Sequence, residues 1–280
     1  MGHIPFVSHP APAAFCLAVL GIIAVNCSKP EEFVYDDETD SGVTLTLPKG
    51  TVIGVYAVDA DGNVTCSTAG VDGDGNAVLP TSGSASLTAY APWQENWGLE
   101  AYLNPPVFSV KEDQNAEGAY AASDLIMGRL SGSDITLGHM LARVAVNIID
   151  DIGLSDLSGT TVTLPDAYTS VSVDIPQCSV STVEIIRNDI TMCSVTASDW
   201  RLSCKAVVAP HSLDKGTPLI SVALFGGNPQ VFVLSEDAEL AGGSTFTYNL
   251  RLTQQGLIPD SWSITDWDDG EEEDLEIHPQ

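Results

Sequence analysis

The sequence predicts an all-β protein of the sandwich or barrel kind. Short runs rich in Val, Ile, Thr and aromatic residues recur at intervals of about ten residues, with Gly, Asp, Asn and Pro between them, a pattern typical of such folds. Helix-compatible sequence is scarce, and the two short candidates are 154–159 and 235–243. No unit repeats with a period of 20 to 50 residues, which disfavours solenoids and propellers.

The first half of the chain begins with a strand and two hairpin turns. Residues 43–47 alternate apolar and polar side chains with the period of a strand, and Pro48 ends the run. The next run, 51–58, is more continuously apolar, and the turn 59–63 after it contains Asp-Gly, a strong hairpin signal. A second turn of this type lies at 71–76. Further strands are predicted at 63–68, 77–80, 84–93 and 105–110.

A junction at 121–151 separates this series of strands from a second one. Residues 121–129 end the first unit, 131–134 form a linker, and a long apolar stretch opens at 135. We therefore place a domain boundary near residue 135, in line with a prior of roughly two domains for a chain of this length. The strands expected beyond the junction are 161–165, 171–176, 183–187, 205–210, 219–225, 230–234 and 245–253.

The charge balance limits the possible partners. The formal net charge is −28, because the chain has 38 Asp and Glu but only 10 Lys and Arg. Such a chain offers no basic face for phosphate groups, so neither nucleic acid nor an anionic lipid surface is expected as a partner. A hydrophobic fraction of 44% with only 17% charged residues still favours a folded core over disorder.

The N-terminus has the pattern of an export signal. Residues 15–25 form an apolar run that is too short for the roughly 20 residues of a membrane-spanning helix but fits the apolar region of a signal peptide. Cys27 follows directly, and an acidic stretch without apolar periodicity comes after it. This arrangement resembles a bacterial lipoprotein signal, with a signal peptide at 1–26, lipidation of Cys27 and a flexible tether at 27–42. The alternative is an ordinary signal peptide with an incidental cysteine.

No motif of the sequence predicts a metal, a cofactor or a catalytic triad. The turns at 59–63 and 72–76 mimic the first ligand positions of a calcium loop but lack its later Gly and Glu, so we interpret them as hairpin turns. Four cysteines remain after Cys27 and no Cys/His cluster is present. Cys193 and Cys204 could face one another across a hairpin, and buried thiols are the other option. The disulfide state of these four stays open: Cys66, Cys178, Cys193 and Cys204.

Several local patterns resemble one known family when they are taken in order. They are Cys27 with its acidic tether, KGTVIGVYAVDADG (49–62), LTAYAPW (87–93), SDLIMGR (123–129), ITLGHMLARVAVNI (135–148), LAGGSTFTYNLRLT (240–253) and SITDWDDG (263–270). Together they resemble the fimbrillin family, the lipoprotein precursors of type V pilus subunits in Gram-negative anaerobes. The resemblance covers nearly the whole chain from Cys27 onward.

The resemblance implies an architecture and a role. It implies two transthyretin-like Greek-key β-sandwich domains in series, which on this chain would be 43–134 and 135–270, followed by an acidic tail at 271–280. It implies a structural, adhesive pilus subunit that is not an enzyme and needs no cofactor. The precursor would be lipid-anchored (palmitate on Cys27) at the outer membrane and would later enter a surface pilus. Its partners would be other pilin subunits, outer-membrane lipid, a processing protease and ligands on host or bacterial surfaces.

The resemblance also implies assembly by strand exchange. A protease removes the first strand, here Val43, Leu45 and Leu47 on one face, by cutting at Lys49 in the turn that follows it. A strand from the next subunit then fills the vacated place by β-augmentation. The candidate donor is the C-terminal segment with Trp262, Ile264 and Trp267.

An alternative function remains open at this point. Tyr90, Trp93 and Trp97 lie close together in the sequence and could form a platform on which sugar rings stack. The protein would then be a surface lipoprotein that binds glycans through a β-sandwich and does not polymerise.

Overall fold

The structure is a computed structural model, and it describes residues 43–79, 84–130, 135–154, 157–198 and 201–267. For 43–46 and 196–198 it describes the backbone alone. The predicted signal peptide, Cys27, the tether and the acidic tail lie outside these residues.

The described residues of the first half form mostly strands. Their elements are β1 (Val43–Thr46), β2 (Val52–Asp59), β3 (Val64–Gly70), β4 (Asn76–Leu79), β5 (Ser84–Ala91), α1 (Leu99–Leu103), β6 (Val107–Ser109), α2 (Ala119–Ser123), β7 (Ile126–Arg129) and β8 (Gly138–His139).

The second half continues in the same way. Its elements are β9 (Ala142–Asp150), β10 (Thr160–Tyr168), β11 (Ser170–Asp174), β12 (Ser179–Thr182), β13 (Arg187–Thr191), β14 (Cys193–Ser198), β15 (Arg201–Val208), β16 (His211–Leu213), β17 (Pro218–Leu224), β18 (Gln230–Val233), β19 (Ala238–Leu240), β20 (Ser244–Thr253) and β21 (Gly256–Asp266). The predicted all-β class is confirmed.

Two sheets enclose a small core in the first half. The larger is antiparallel with the order β3-β2-β5-β7-β8, and the smaller consists of β1 and β4. Ile53 and Val55 of β2 pack with Leu79 of β4 in this core, whereas Tyr56 belongs to a second, larger core. Because β2 is buried on both faces, its sequence is continuously apolar instead of alternating.

The larger core lies mainly between two sheets of the second half. One has the order β14-β15-β9-β20-β21, in which β9 and β20 are parallel, and the other has the order β13-β10-β17-β18. On β9 the residues Ala142, Val144 and Val146 are buried and alternate with partly exposed ones, as expected of a strand covered on one face.

The two halves share this larger core. It also includes Tyr56, Tyr90 and Met127 from the first half, and β6 pairs with β11 of the second half. All described residues lie within one compact unit, 34–280. The domain boundary near residue 135 therefore stays a prediction.

Three local predictions are wrong. Residues 183–187 were expected to be a strand, but most of them form the turn between β12 and β13, in which Ile186 donates its N–H to the Val183 carbonyl. The described part of 154–159 is not helical, and 235–243 contains β19. The helices α1 and α2 lie elsewhere and have five residues each. Within the described residues, no helix has the length and apolarity that crossing a membrane requires.

Candidate functional site

The first strand lies at a sheet edge and contacts a buried core. Among the described residues, β1 pairs only with β4, and the register sets Val43 opposite Leu79 and Leu45 opposite Ala77. Leu79 and Ala77 are buried. Leu47 continues the segment: it packs against the same core and donates its N–H to the Gly75 carbonyl at 2.8 Å. Within the described residues, a short strand with a single partner thus lies beside this core, and Leu47 after it packs against the core.

An exposed turn follows β1. The Thr51 N–H and Thr51 Oγ1 both bond to the Pro48 carbonyl, at 3.1 and 2.7 Å. Gly50 has φ +81°, the left-handed conformation that glycine adopts without steric cost and that the third residue of a type II turn requires. Lys49 occupies the position before it and is exposed. The backbone next to the predicted cleavage position is therefore at the surface.

At the other end of the chain, β21 is also an edge strand, paired with β20. Trp262 lies opposite Tyr248 and Ile264 lies opposite Phe246. Tyr248 and Phe246 are buried, but Trp262 and Ile264 on the same face are 53% and 51% exposed. The core therefore covers the apolar face of β20 but leaves the apolar side chains on the same face of β21 half exposed.

Trp267 is placed differently from the two other candidate donor residues. It is buried, and its ring is stacked on that of His139, with centroids 4.0 Å apart and an angle of 4°. His139 Nδ1 lies 2.8 Å from an Asp124 carboxylate oxygen, and the Arg143 guanidinium lies 5.1 Å from the Trp267 ring. The backbone N–H of Trp267 donates a hydrogen bond to the Gly243 carbonyl at 2.8 Å. These contacts hold the chain in place where β21 ends.

The His139–Trp267 contact is a feature that sequence reasoning missed. His139 lies within the apolar stretch that opens at residue 135, but its partner Asp124 follows α2 and its partner Trp267 follows β21, far away in the chain. The one signal was the position of an aromatic residue directly after the last strand.

The predicted sugar-binding platform is wrong. Tyr90 and Trp97 are almost fully buried, and their ring centroids lie 4.9 Å apart. Tyr56 donates its hydroxyl to the Trp97 carbonyl at 3.0 Å, and Trp93 is partly buried against the same core. Burial raises the pKa of Tyr90 to about 12, because the phenolate would lose its hydration. These aromatic side chains pack the core, so a sugar ring has no exposed faces of Tyr90 and Trp97 to stack on.

In the two acidic turns, the carboxylates of Asp59 and Asp72 accept hydrogen bonds from residues of the same turn. Asp59 accepts hydrogen bonds from the Asn63 side-chain amide and from the Asn63 and Asp61 backbone N–H groups, each at 2.9 Å. Asp72 accepts the N–H groups of Asn76 and Asp74 in the same way. The Asn63 amide and the Asn76 N–H are the main causes that lower the pKa values of Asp59 and Asp72. The interpretation as a hairpin turn is confirmed at 59–63, where β2 and β3 pair on either side. It is wrong at 72–76, because β3 and β4 belong to different sheets and do not pair with each other. The described residues contain no cluster that could hold a metal ion.

The cysteines form no disulfide among the described residues. The predicted hairpin of β14 and β15 is present, but its register places Cys193 opposite Lys205 and Cys204 opposite Ser194. Cys204 is buried, which raises the pKa of its thiol to about 12.

Comparison with known proteins agrees with this fold. A family model described as fimbrillin-like matches residues 35–267. The chain belongs to the fimbrillin-like family. No curated protein gives a significant match to this chain. The family is one of structural fimbrial and adhesion proteins, so the prediction that the chain is not an enzyme is confirmed.

Solved structures share the fold of this fimbrillin-like chain. A protein of Bacteroides uniformis assigned to cell adhesion is 18% identical, with a TM-score of 0.60 over 82% of this chain and 100% of that one. A second such protein, from Bacteroides ovatus, is 12% identical, with a TM-score of 0.58 over 79% and 88% of the two chains. The tip fimbrial protein of Porphyromonas gingivalis, solved with a C-terminal truncation, is 9% identical, with a TM-score of 0.54 over 81% and 98%.

Proposed function

We propose that this chain is a type V pilus subunit that is exported as a lipoprotein, cut after Lys49 and assembled by strand exchange. The observation that carries the proposal is β1: a strand of four residues, paired with β4 alone among the described residues, followed by an exposed turn that contains a lysine. Family membership supports the pilus as its destination.

Removal of β1 would expose an edge that attracts another strand. The N–H and C=O groups of β4 that now pair with β1 would lose their partners, next to the buried side chains Ala77 and Leu79. Unpaired backbone groups beside apolar surface form a template for β-augmentation, in which hydrogen bonds give affinity and alternate side chains fill the core. A strand with the alternation of Val43, Leu45 and Leu47 would restore both.

The C-terminal strand is the proposed donor. Trp262 and Ile264 present two large apolar side chains on one face, half exposed, on an edge strand. Their separation by two residues matches the period with which side chains would enter the vacated core. Trp267 would have to leave His139 before the end of β21 could extend toward a neighbour.

The lipid anchor on Cys27 would act before assembly. Each buried methylene contributes about 0.8 kcal/mol, so several acyl chains, palmitate among them, would hold the precursor stably on the outer membrane. Cleavage after Lys49 would separate the folded part from Cys27 and free it to enter the surface pilus.

Treatment of the purified precursor with a Lys-specific protease tests the proposal. We expect loss of the segment that ends at Lys49, followed by a ladder of oligomers on non-reducing, unheated gels. The Lys49→Gln variant should neither lose the segment nor form the ladder, whereas Lys111→Gln, a matched change at another exposed lysine, should behave like the parent. Clean removal of the segment without oligomers would refute the exchange mechanism.

A further inference from the structure

A groove of about 370 Å³ opens along one side of the second half, where the edge strands β18 and β21 of the two facing sheets lie. Phe232 and Tyr248 line it with ring centroids 5.8 Å apart, and Phe246 lies beside them. Trp262 and Ile264 form the wall on the β21 side. An apolar cavity of about 150 Å³ holds one benzene molecule, so this groove has room for two aliphatic side chains.

The rim of the groove is acidic. Glu236, Asp237 and Glu239 line it and are exposed, and no Lys, Arg or His is among the described residues of its lining. Burial, and after it the charge of Glu236, raises the pKa of Tyr248 to about 12. A cation next to these carboxylates would be attracted, and a further anion would be repelled.

The shape of the groove and the charge of its rim together define which kind of peptide segment it can bind. An apolar groove between two edge strands accepts an extended segment that pairs with an edge through its backbone and inserts every second side chain. The acidic rim adds a requirement for a Lys or Arg at one end of that segment. The chain's own tail is a poor match, because residues 268–280 contain seven Asp and Glu and neither Lys nor Arg.

The segment 43–49 meets both requirements. Val43, Leu45 and Leu47 alternate with polar or small residues, and Lys49 follows at the same period of two. In the structure this segment begins with β1, an edge strand that pairs with β4 alone among the described residues.

We infer that the acidic groove beside β21 binds residues 43–49 of a second copy of this chain. The contact needs no cleavage, but the second copy's segment must leave its place beside β4 to make it. It goes beyond the proposed function, because it would hold two precursors together before processing. Because β21 forms one wall, the groove exists only while β21 stays paired with β20. Occupancy of the groove would therefore also keep the proposed donor strand in place.

Binding of a labelled synthetic peptide of residues 42–50, with both ends blocked, tests this inference by fluorescence anisotropy. The intact precursor is used because its own β1 fills the place beside β4, which directs the peptide to the groove. We expect saturable binding that weakens as salt is raised, since rim carboxylates are screened by salt. A peptide with Glu in place of Lys49 should bind at least tenfold more weakly.

Three variants locate the contact. Trp262→Ser should weaken binding at least tenfold, whereas Ile258→Ser, on the same strand with 46% exposure but outside the groove lining, should leave it unchanged. A Glu236→Lys, Glu239→Lys double variant should prefer the Glu peptide to the Lys peptide. All four substituted positions are exposed, so circular dichroism should show the parent fold.

Four results would overturn the inference. They are absence of peptide binding, equal binding of the Lys and Glu peptides, unchanged affinity in Trp262→Ser, and binding that appears only when the chain is truncated after Trp267. The last result would mean that the tail occupies the groove. None of them would affect the protease ladder, which reports separately on strand exchange at β4.

Discussion

Gly54 on β2 lies next to the buried aromatic side chains Tyr56, Tyr90 and Trp97, and the space above it has no room for a side chain. A Cβ atom at this position would lie 2.1 Å from the Tyr90 ring, and that ring is itself buried. The backbone of Gly54 is not in a glycine-only conformation, so the constraint is purely steric. The absence of a side chain at Gly54 leaves room for the Tyr90 ring, which stacks on Tyr56 with centroids 5.9 Å apart.

At the residue scale, we expect Gly54→Ala to destabilise the protein by about 1–3 kcal/mol, because the buried ring must shift in a packed core. Gly70→Ala is the matched control: Gly70 ends the neighbouring strand β3, and a Cβ there would meet nothing within 4 Å. Urea unfolding followed by circular dichroism measures both. Equal stability of the two variants would mean that Tyr90 does not occupy the space above Gly54.

At the scale of the element, β21 has exposed side chains along most of its length, whereas the residue directly after it is buried. Its residues from Ile258 to Asp266 are exposed, and it pairs with β20 alone among the described residues. Trp267, directly after the strand, is buried against His139. Such an element should open locally from the middle, while its end opens only when the tryptophan leaves its site.

We expect Trp267→Ala to cost about 3–5 kcal/mol, the range for removing a buried aromatic side chain. The variant should also speed hydrogen exchange along β21. Trp262→Ala removes a half-exposed ring and should cost less and leave the exchange of the strand end unchanged. Exchange followed by mass spectrometry on the peptide containing β21 distinguishes the two. Slow exchange in Trp267→Ala would show that the stacked ring does not fix the strand.

At the scale of the whole molecule, the aromatic cores and the net charge set the response to pH. Tyr90 in the first half and Tyr248 in the second both have a pKa raised to about 12 by burial. A phenol is neutral when protonated, and in the unfolded chain it ionises near pH 10. The unfolded state therefore releases these protons first, so the stabilising contribution is complete below pH 10 and is lost as the pH rises toward 12.

Accordingly, the free energy of unfolding should fall between pH 9 and pH 11, by about 1 kcal/mol for each of these two tyrosines. The charge of −28 acts in the same direction, because further ionisation adds to the repulsion. The Tyr248→Phe variant keeps the ring and lacks the ionisable group, so its stability should fall less over the same range. Urea unfolding at each pH, with phenolate absorbance as a second signal, measures the effect. An identical decline in the variant would contradict the role of Tyr248.

Much of the local structure was predictable from the sequence because it depends on neighbouring residues. The strand at 43–47 and the hairpin at 59–63 follow from side-chain period and from Asp-Gly turns, and both are present. The sequence predicts a strand at 183–187 because the run contains Val183, Ile185 and Ile186, and β-branched residues are typical of strands. Ile185 is in fact 92% exposed there, so burial rather than composition separates the two cases.

Residue types and short-range order are sufficient to predict the all-β class, the hairpin turn at 59–63, the acidic balance and the family resemblance. The tertiary structure decided which strands lie at edges, that Tyr90 and Trp97 pack inside, and that Trp267 meets His139. These facts depend on contacts between residues distant in the chain. The exposure of a side chain depends on which residues the fold packs against it. When those residues are distant in the chain, the local sequence does not identify them.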